Sequence, residues 1–209
     1  MSDKRTEIQS WSLIVIVFLF LMQLSAAVMA VQSKGVDPDS KLKFWEIREK
    51  NMRLRLVQRL PDQTRAYLLS RGFTTTQANS IATSCVFQTI FENTAEPDSG
   101  KALSYDLKQW TVIHQQKKTK LKTREDWARQ WEKQAVVPAA RIAYHWSLFP
   151  TRQTYQAGDH NWGMAVFNLK PGAIFTLQLS WTQAGKNQAR TIKGIQCSPD
   201  IHPQTGDSK

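Results

Sequence analysis

Four residues in the second half of the chain have side chains that could bind a soft metal ion. They are His145, His160, Met164 and Cys197. Imidazole, thioether and thiolate groups are ligands that copper accepts. The chain's four histidines include no pair at the helical or turn spacing of dedicated zinc sites. Copper is therefore the one metal for which the sequence offers candidate ligands.

The segment Gln-Cys-Ser-Pro-Asp around Cys197 slightly resembles the ligand loop of blue-copper proteins. His145 or His160 lies a suitable distance upstream to complete such a site. However, Asp200 occupies the position at which that loop has a histidine, and no methionine follows it. A periplasmic copper-handling protein is kept as an alternative, and no cofactor is predicted.

The sequence contains none of the common catalytic motifs. Gly-x-Ser-x-Gly, His-Glu-x-x-His, a glycine-rich phosphate loop and Cys-x-x-Cys are all absent from it. Asp159 is the main acidic residue near the aromatic segments, so paired-carboxylate chemistry has few groups to use. These observations favour a non-catalytic protein over an enzyme.

The segment from Gly158 to Gly163 concentrates residue types that bind ligands. They are Asp159, His160, Asn161 and Trp162. In one interpretation the glycines shape a hairpin turn and Trp162 enters the core. In the other the segment is a binding loop at one end of a β-sandwich, with Trp162 at least half buried as its support. The first three residues should then be accessible to solvent.

The two cysteines, Cys85 and Cys197, bear on the compartment of the protein. In an exported domain an even pair commonly forms a disulfide, whereas in the cytoplasm both would be reduced core thiols. The sequence leaves both states open, and a bridge would require α-carbons about 4.4 to 6.8 Å apart.

Residues 11–31 form an uncharged apolar stretch that follows a short N-terminal tail, residues 1–10. The stretch is long enough to cross a bilayer as a helix, which predicts a single transmembrane anchor. The rival interpretation is a signal peptide cleaved after Ala30, because Lys4 and Arg5 precede the apolar core.

The orientation of the chain depends on opposing signals. Lys34, Lys41 and Lys43 follow the span, and these charges alone would keep the domain in the cytoplasm. The signal-like architecture and the length of the following domain favour export. The prediction is a bacterial-type inner-membrane protein that crosses once and faces the periplasm. A cleaved periplasmic protein and a cytoplasm-facing protein remain alternatives.

Hydrophobic spacing predicts an α+β fold. Residues 32–100 are interpreted as a linker and helical region, with helices over 41–60, after Pro61, and over 75–93. Residues 101–198 are interpreted as a β-rich domain, an antiparallel sandwich with strands near 105–114, 142–148 and 173–181. A partial capping box at Thr123 and Asp126 predicts one short helix there. Residues 199–209 are predicted to be a flexible tail.

The chain carries a net charge of +11, all of it outside the first thirty residues. The charge concentrates in residues 41–59 and 117–124, where it could attract anionic lipid headgroups or an acidic partner. Lys4 and Arg5 are balanced by Asp3 and Glu7, and Lys209 by Asp207. Together these features predict a membrane-tethered, envelope-facing binding, assembly or accessory protein with a protein partner. A third alternative is a cytoplasm-facing basic module that binds anionic lipid or, less favoured, nucleic acid.

Overall fold

The computed structural model describes residues 31–202 of the 209-residue chain. The predicted anchor or signal peptide therefore lies outside the described residues, except for Val31. Within residues 31–202 no helix is both long and apolar enough to cross a membrane.

The fold is α+β, with eleven strands in two antiparallel sheets and four helices across residues 31–202. The strands are β1 (Val31–Val36), β2 (Lys43–Glu49), β3 (Met52–Gln58), β4 (Val86–Glu92), β5 (Leu103–Asp106), β6 (Thr111–His114), β7 (Lys117–Thr119), β8 (Arg152–Tyr155), β9 (His160–Val166), β10 (Ile174–Gln183) and β11 (Lys186–Gln196). The helices are α1 (Pro61–Leu69), α2 (Thr75–Ala82), α3 (Arg124–Lys133) and α4 (Pro138–Ser147).

The first sheet has the order β1-β2-β3-β4-β9. In the second sheet β10 is central and pairs along its length with β11. Strands β5 and β6 also pair with β10. Strand β5 pairs in turn with β8, and β6 pairs with β7. One core cluster contains buried residues from both sheets. A second cluster lies between the four helices and strands β4 and β9. The helices therefore cover the outer face of the first sheet near β9.

The predicted helix over residues 41–60 is wrong, because this segment forms the β2–β3 hairpin. Met52, Leu54 and Leu56 are buried and alternate with the partly exposed Arg53 and Arg55. This alternation has the two-residue period of a strand that faces a core on one side. Because arginines stand between the apolar residues, this alternating pattern was mistaken for that of a charged amphipathic helix.

In two other segments the structure has a strand where a helix was predicted, or a helix where a strand was predicted. The helix predicted over 75–93 ends at Ala82, and β4 begins at Val86 after Cys85 takes a positive φ of 59°. Residues 142–148, predicted as a strand, belong largely to α4. In contrast, the predicted helix starts at Pro61 and at the Thr123 capping box are confirmed.

A disulfide joins Cys85, just before β4, to Cys197, just after β11. Their α-carbons lie 5.1 Å apart, within the range of disulfide bridges. The bridge spans 112 positions of sequence and connects the first sheet covalently to the second.

The start of the predicted flexible tail is held against α1. Arg65 is only 5% exposed, and its Nη1 donates to Asp200 Oδ1 at 3.0 Å and to Asp62 Oδ1 at 2.8 Å. His202 Nδ1 lies 2.7 Å from the second oxygen of Asp62. The chain is therefore anchored as far as residue 202.

Gly163 allows an unusually close approach at the outer edge of β9. Phe149 N donates to Met164 O at 2.8 Å, and a Cβ built on Gly163 would lie 2.6 Å from Phe149 N. We expect Gly163→Ala to lower the free energy of unfolding by about 1 to 3 kcal/mol, because backbone atoms must move apart. Thermal denaturation measures the effect. Gly35→Ala is the control, since its nearest neighbour is the movable ring of Phe44 at 3.1 Å; equal losses would contradict the expectation.

Candidate functional site

Two clefts open on the helical side of the molecule, one on each side of Trp146. The first, of about 310 Å³, lies between α3 and α4 and is lined by residues that include Arg124, Trp127, Trp131, Arg141 and Trp146. The second, of about 620 Å³, lies among α1, α4 and β9 and is lined by residues that include Arg59, Tyr67, Arg71, Trp146 and Trp162. We call the surface formed by the two clefts and Trp146 the tryptophan face.

Helix α4 carries apolar residues on two opposite sides, and Trp146 lies on the side that faces solvent. Pro138 stands in its first turn, where a proline is well tolerated, and Ala140 and Tyr144 are buried against the core. Ile142 and Trp146, also one turn apart, are 59% and 74% exposed. A helix that is apolar on both sides is usually covered on both. The outward side of α4 therefore has the character of a contact surface.

Trp162 stands on β9 at the edge of the second cleft and is 62% exposed. The expectation that it is at least half buried is wrong. In β9, Ala165 joins the core between the sheets, whereas Met164 joins the core beneath the helices. Trp162 shares the face of Met164, but the helices cover Met164 and leave Trp162 open.

The floor of the first cleft is a rigid group of aromatic rings. Trp127 and Trp131 stack with their ring centroids 4.9 Å apart, and Tyr144 meets them edge-on at 5.5 and 5.8 Å. Burial raises the pKa of the Tyr144 hydroxyl. Both indole nitrogens and this hydroxyl are buried and have no hydrogen-bond partner within residues 31–202. The floor is thus made of closely packed rings, and it also contains three buried polar groups that the described residues leave without a partner.

The arginines that have no carboxylate partner are concentrated on this face. Of the eleven described arginines, seven form a salt bridge with an aspartate or glutamate. The other four line the two clefts, and they are Arg59, Arg71, Arg124 and Arg141. Neither cleft is lined by an aspartate or a glutamate. The guanidinium of Arg124 already donates to Leu148 O, and, although burial lowers its pKa, Glu125 lies close enough to oppose that lowering. The tryptophan face therefore carries an excess of positive charge beside exposed aromatic rings.

Burial lowers the pKa of Arg59 and of Arg124, yet a guanidinium remains charged at neutral pH. Arg59 Nε is buried without a hydrogen-bond partner in the described chain. The guanidinium groups of Arg59 and Arg71 lie 6.0 and 5.3 Å from the Tyr67 ring centre. Burial, and then Arg124, lower the pKa of His145, so its imidazole is neutral at neutral pH. The positive charge of the face comes from the arginines.

The structure does not assemble the candidate copper ligands into a site. Cys197 is in the disulfide and has no thiolate to offer, so the copper interpretation loses that ligand. His145 lines the first cleft, His160 begins β9 and Met164 is buried beneath the helices. Residues 31–202 contain no group of three or more histidine, cysteine or acidic side chains that could hold a metal ion.

The segment 158–163, which the sequence indicated as a binding loop, forms partly a turn and partly the edge of the second cleft. Asp159 and His160 are exposed and Asn161 is partly exposed. Asp159 Oδ2 accepts from Gln156 N at 2.7 Å and closes a turn, and Asn161 donates to Gln153 Oε1 at 2.8 Å. From His160 onward the segment is strand β9 rather than a loop. Asn161 and Trp162 line the second cleft, so the segment contributes one edge of the tryptophan face.

Sequence reasoning did not single out Trp146, Arg71 or Arg141 as functional candidates. It included Arg59 and Arg124 only as members of the basic segments 41–59 and 117–124. A helical projection of residues 138–147 would have placed Tyr144 and Trp146 on different sides of one helix. No signal in the sequence distinguishes these arginines from the seven whose carboxylate partners come from folding.

No known protein family, no curated protein and no solved structure matches this chain. The geometry of the tryptophan face is therefore the main guide to its function.

Proposed function

We propose that this protein is a non-catalytic binding or assembly module, tethered to a membrane by residues 11–31 and facing the cell envelope. Its partner contacts the tryptophan face. The observation that carries the proposal is the meeting of two exposed tryptophans, Trp146 and Trp162, with the four arginines that have no described carboxylate partner.

The composition of the face supports a protein partner. Tryptophan, tyrosine and arginine are the residues most enriched among those that dominate binding energy at protein interfaces. Trp146 stands at the centre of the face, where such residues concentrate, because it lines both clefts. The exposed apolar surface continues one turn earlier on the same side of α4 at Ile142, which is 59% exposed.

The disulfide supports placement outside the cytoplasm. Such bridges form and persist in the periplasm and other oxidising compartments and are rare in the cytosol. A bridge between Cys85 and Cys197 agrees with export through an N-terminal apolar segment. The same segment supports attachment to the membrane.

Site-specific photocrosslinking in intact membranes tests the contact surface. We expect a crosslinking amino acid at position 146 or 162 to give a discrete adduct, because both side chains project from the tryptophan face. Position 191 on β11 is the control, since Thr191 is exposed on the other sheet. Adducts of equal yield at position 191, or none at 146 and 162 in a folded protein, would refute the proposal.

A reporter enzyme that is active only outside the cytoplasm, fused after Lys209, tests the proposed orientation. We expect an active fusion that remains with the membranes after carbonate washing. An inactive fusion would place the domain in the cytoplasm. A soluble, active product that begins at Val31 would show cleavage and remove the tether.

A further inference from the structure

We infer that the occupant of the tryptophan face is an acidic peptide segment carrying bulky apolar side chains. This inference rests on the proposed function and names the partner's chemistry. It follows from three properties of the face: its charge, its shape and its apolar floor.

The charge of the face favours a partner that carries carboxylates. Arg59, Arg71, Arg124 and Arg141 have no described carboxylate partner, and no acidic residue lines either cleft. Guanidinium groups bind carboxylates through paired, charge-assisted hydrogen bonds. The buried Nε of Arg59 is one donor that lacks an acceptor. A second copy of this chain is disfavoured, because two bodies of net charge +11 repel each other.

The shape of the face suits a peptide chain. Trp146 projects between two concave clefts, so a chain crossing it can place one side chain in each. A volume of about 310 Å³ is at the small end of the range for ligand pockets, roughly 300 to 1,000 Å³, and fits one or two side chains. A flat bilayer surface would contact the projecting Trp146 and leave the clefts open.

The floor of the first cleft determines the apolar part of the ligand. Trp127 and Trp131 present stacked rings, and Ile142 and Trp146 extend the apolar surface to the rim. Arg124 and Arg141 line the same cleft. We therefore place a phenylalanine, leucine or similar side chain on this floor, with neighbouring carboxylates at the arginines on both sides.

Fluorescence anisotropy with defined peptides tests the inference on full-length protein in neutral nanodiscs. The probe is a fluorescein-labelled peptide that alternates glutamate with phenylalanine and leucine. One matched peptide replaces glutamate by lysine, and the other replaces the apolar residues by serine. We expect the probe to bind at least about tenfold more tightly than either, because it alone supplies carboxylates and apolar anchors together.

Variants identify the binding surface. Arg59→Gln with Arg71→Gln, and separately Trp146→Ala, should each weaken probe binding about tenfold or more, which corresponds to about 1.4 kcal/mol. Lys186→Gln with Lys193→Gln removes two exposed charges from β11 and should leave binding nearly unchanged. Thermal midpoints within about 2 °C of the unmodified protein show that the variants fold.

Three results would overturn the inference. The serine peptide could bind as well as the probe, which would leave only general electrostatic attraction. Vesicles containing anionic phosphatidylglycerol could compete more strongly than the peptide, which would indicate a lipid surface. Oligo(dT) could bind more tightly, because exposed tryptophans with arginines also suit single-stranded nucleic acid. Crosslinking at position 146 together with any of these results would retain the binding module and refute its acidic peptide ligand.

Discussion

Replacing Cys85 and Cys197 together by alanine is expected to lower the free energy of unfolding by about 4 to 5 kcal/mol. The bridge closes a loop of 112 positions, and a cross-link over so long a loop strongly restricts the unfolded chain. For a domain of this size the loss corresponds to a fall in thermal midpoint of roughly 10 to 15 °C. Both cysteines are buried in the core between the sheets, so the small alanine side chain avoids a clash.

Thermal denaturation with and without a reducing agent measures this effect. Reduction should lower the midpoint of the unmodified protein by a similar amount and leave the double alanine variant unchanged. A fall of less than about 3 °C in both experiments would show that the native packing holds the two sheets together without the bridge.

Arg65→Ala is expected to lower the free energy of unfolding by about 3 to 5 kcal/mol, because it leaves the largely covered carboxylate of Asp200 without its charge partner. The Asp200 side chain is 9% exposed and that of Arg65 6%. Arg65 also donates to Asp62 and, through Nε, to Asn79 at 3.0 Å. One side chain therefore connects α1, α2 and the segment after β11.

Denaturant titration of Arg65→Ala measures the loss, with Arg129→Ala as the matched control. Arg129 pairs with Asp126 at the surface, with side chains 66% and 38% exposed, so its removal should change stability by less than about 1 kcal/mol. Adding Asp200→Asn to Arg65→Ala should recover part of the loss by removing the unpaired charge. Equal effects of the two arginine variants would mean that Arg65 contributes no more than a surface pair.

The parts of the fold that were predictable are those with one unambiguous local signal. Pro61 at the first turn of α1 and the capping box of Thr123 and Asp126 each fix a helix start through backbone geometry. The alternation over 173–181 likewise matches β10, where one face is buried. These signals need only neighbouring residues, so no tertiary information is required to read them.

The wrongly predicted segments have apolar patterns that fit both the 3.6-residue period of a helix and the two-residue period of a strand. In β3 the apolar residues are separated by arginines, and in α4 apolar residues occur on both sides of the helix. The deciding factor is which surface each residue meets. Leu54 meets the core between the sheets, whereas Trp146 meets solvent. Tertiary packing selects the period in both cases.

The candidate site was predictable mainly at its β9 edge. Asn161 and Trp162 stood out because several ligand-binding residue types occur in one short segment. The four arginines of the site differ from the other seven only in having no carboxylate partner among residues 31–202, and the folded structure is needed to see this difference. Arg55, for example, meets Asp37, eighteen positions away in sequence. Charge in the sequence alone does not separate a structural arginine from a binding one.

The strand order of the first sheet also separates the proposed membrane attachment from the edge that carries Trp162. β1 begins at Val31, where the apolar segment ends, and occupies one edge, whereas β9 with Trp162 occupies the opposite edge. Four spacings of about 4.8 Å separate these edges, so the sheet spans roughly 19 Å. If the apolar segment before Val31 lies in a bilayer, as we propose, the width of the sheet is the largest separation that it can provide between the anchor and Trp162. The number of strands would then limit how far from the membrane surface a partner can contact Trp162.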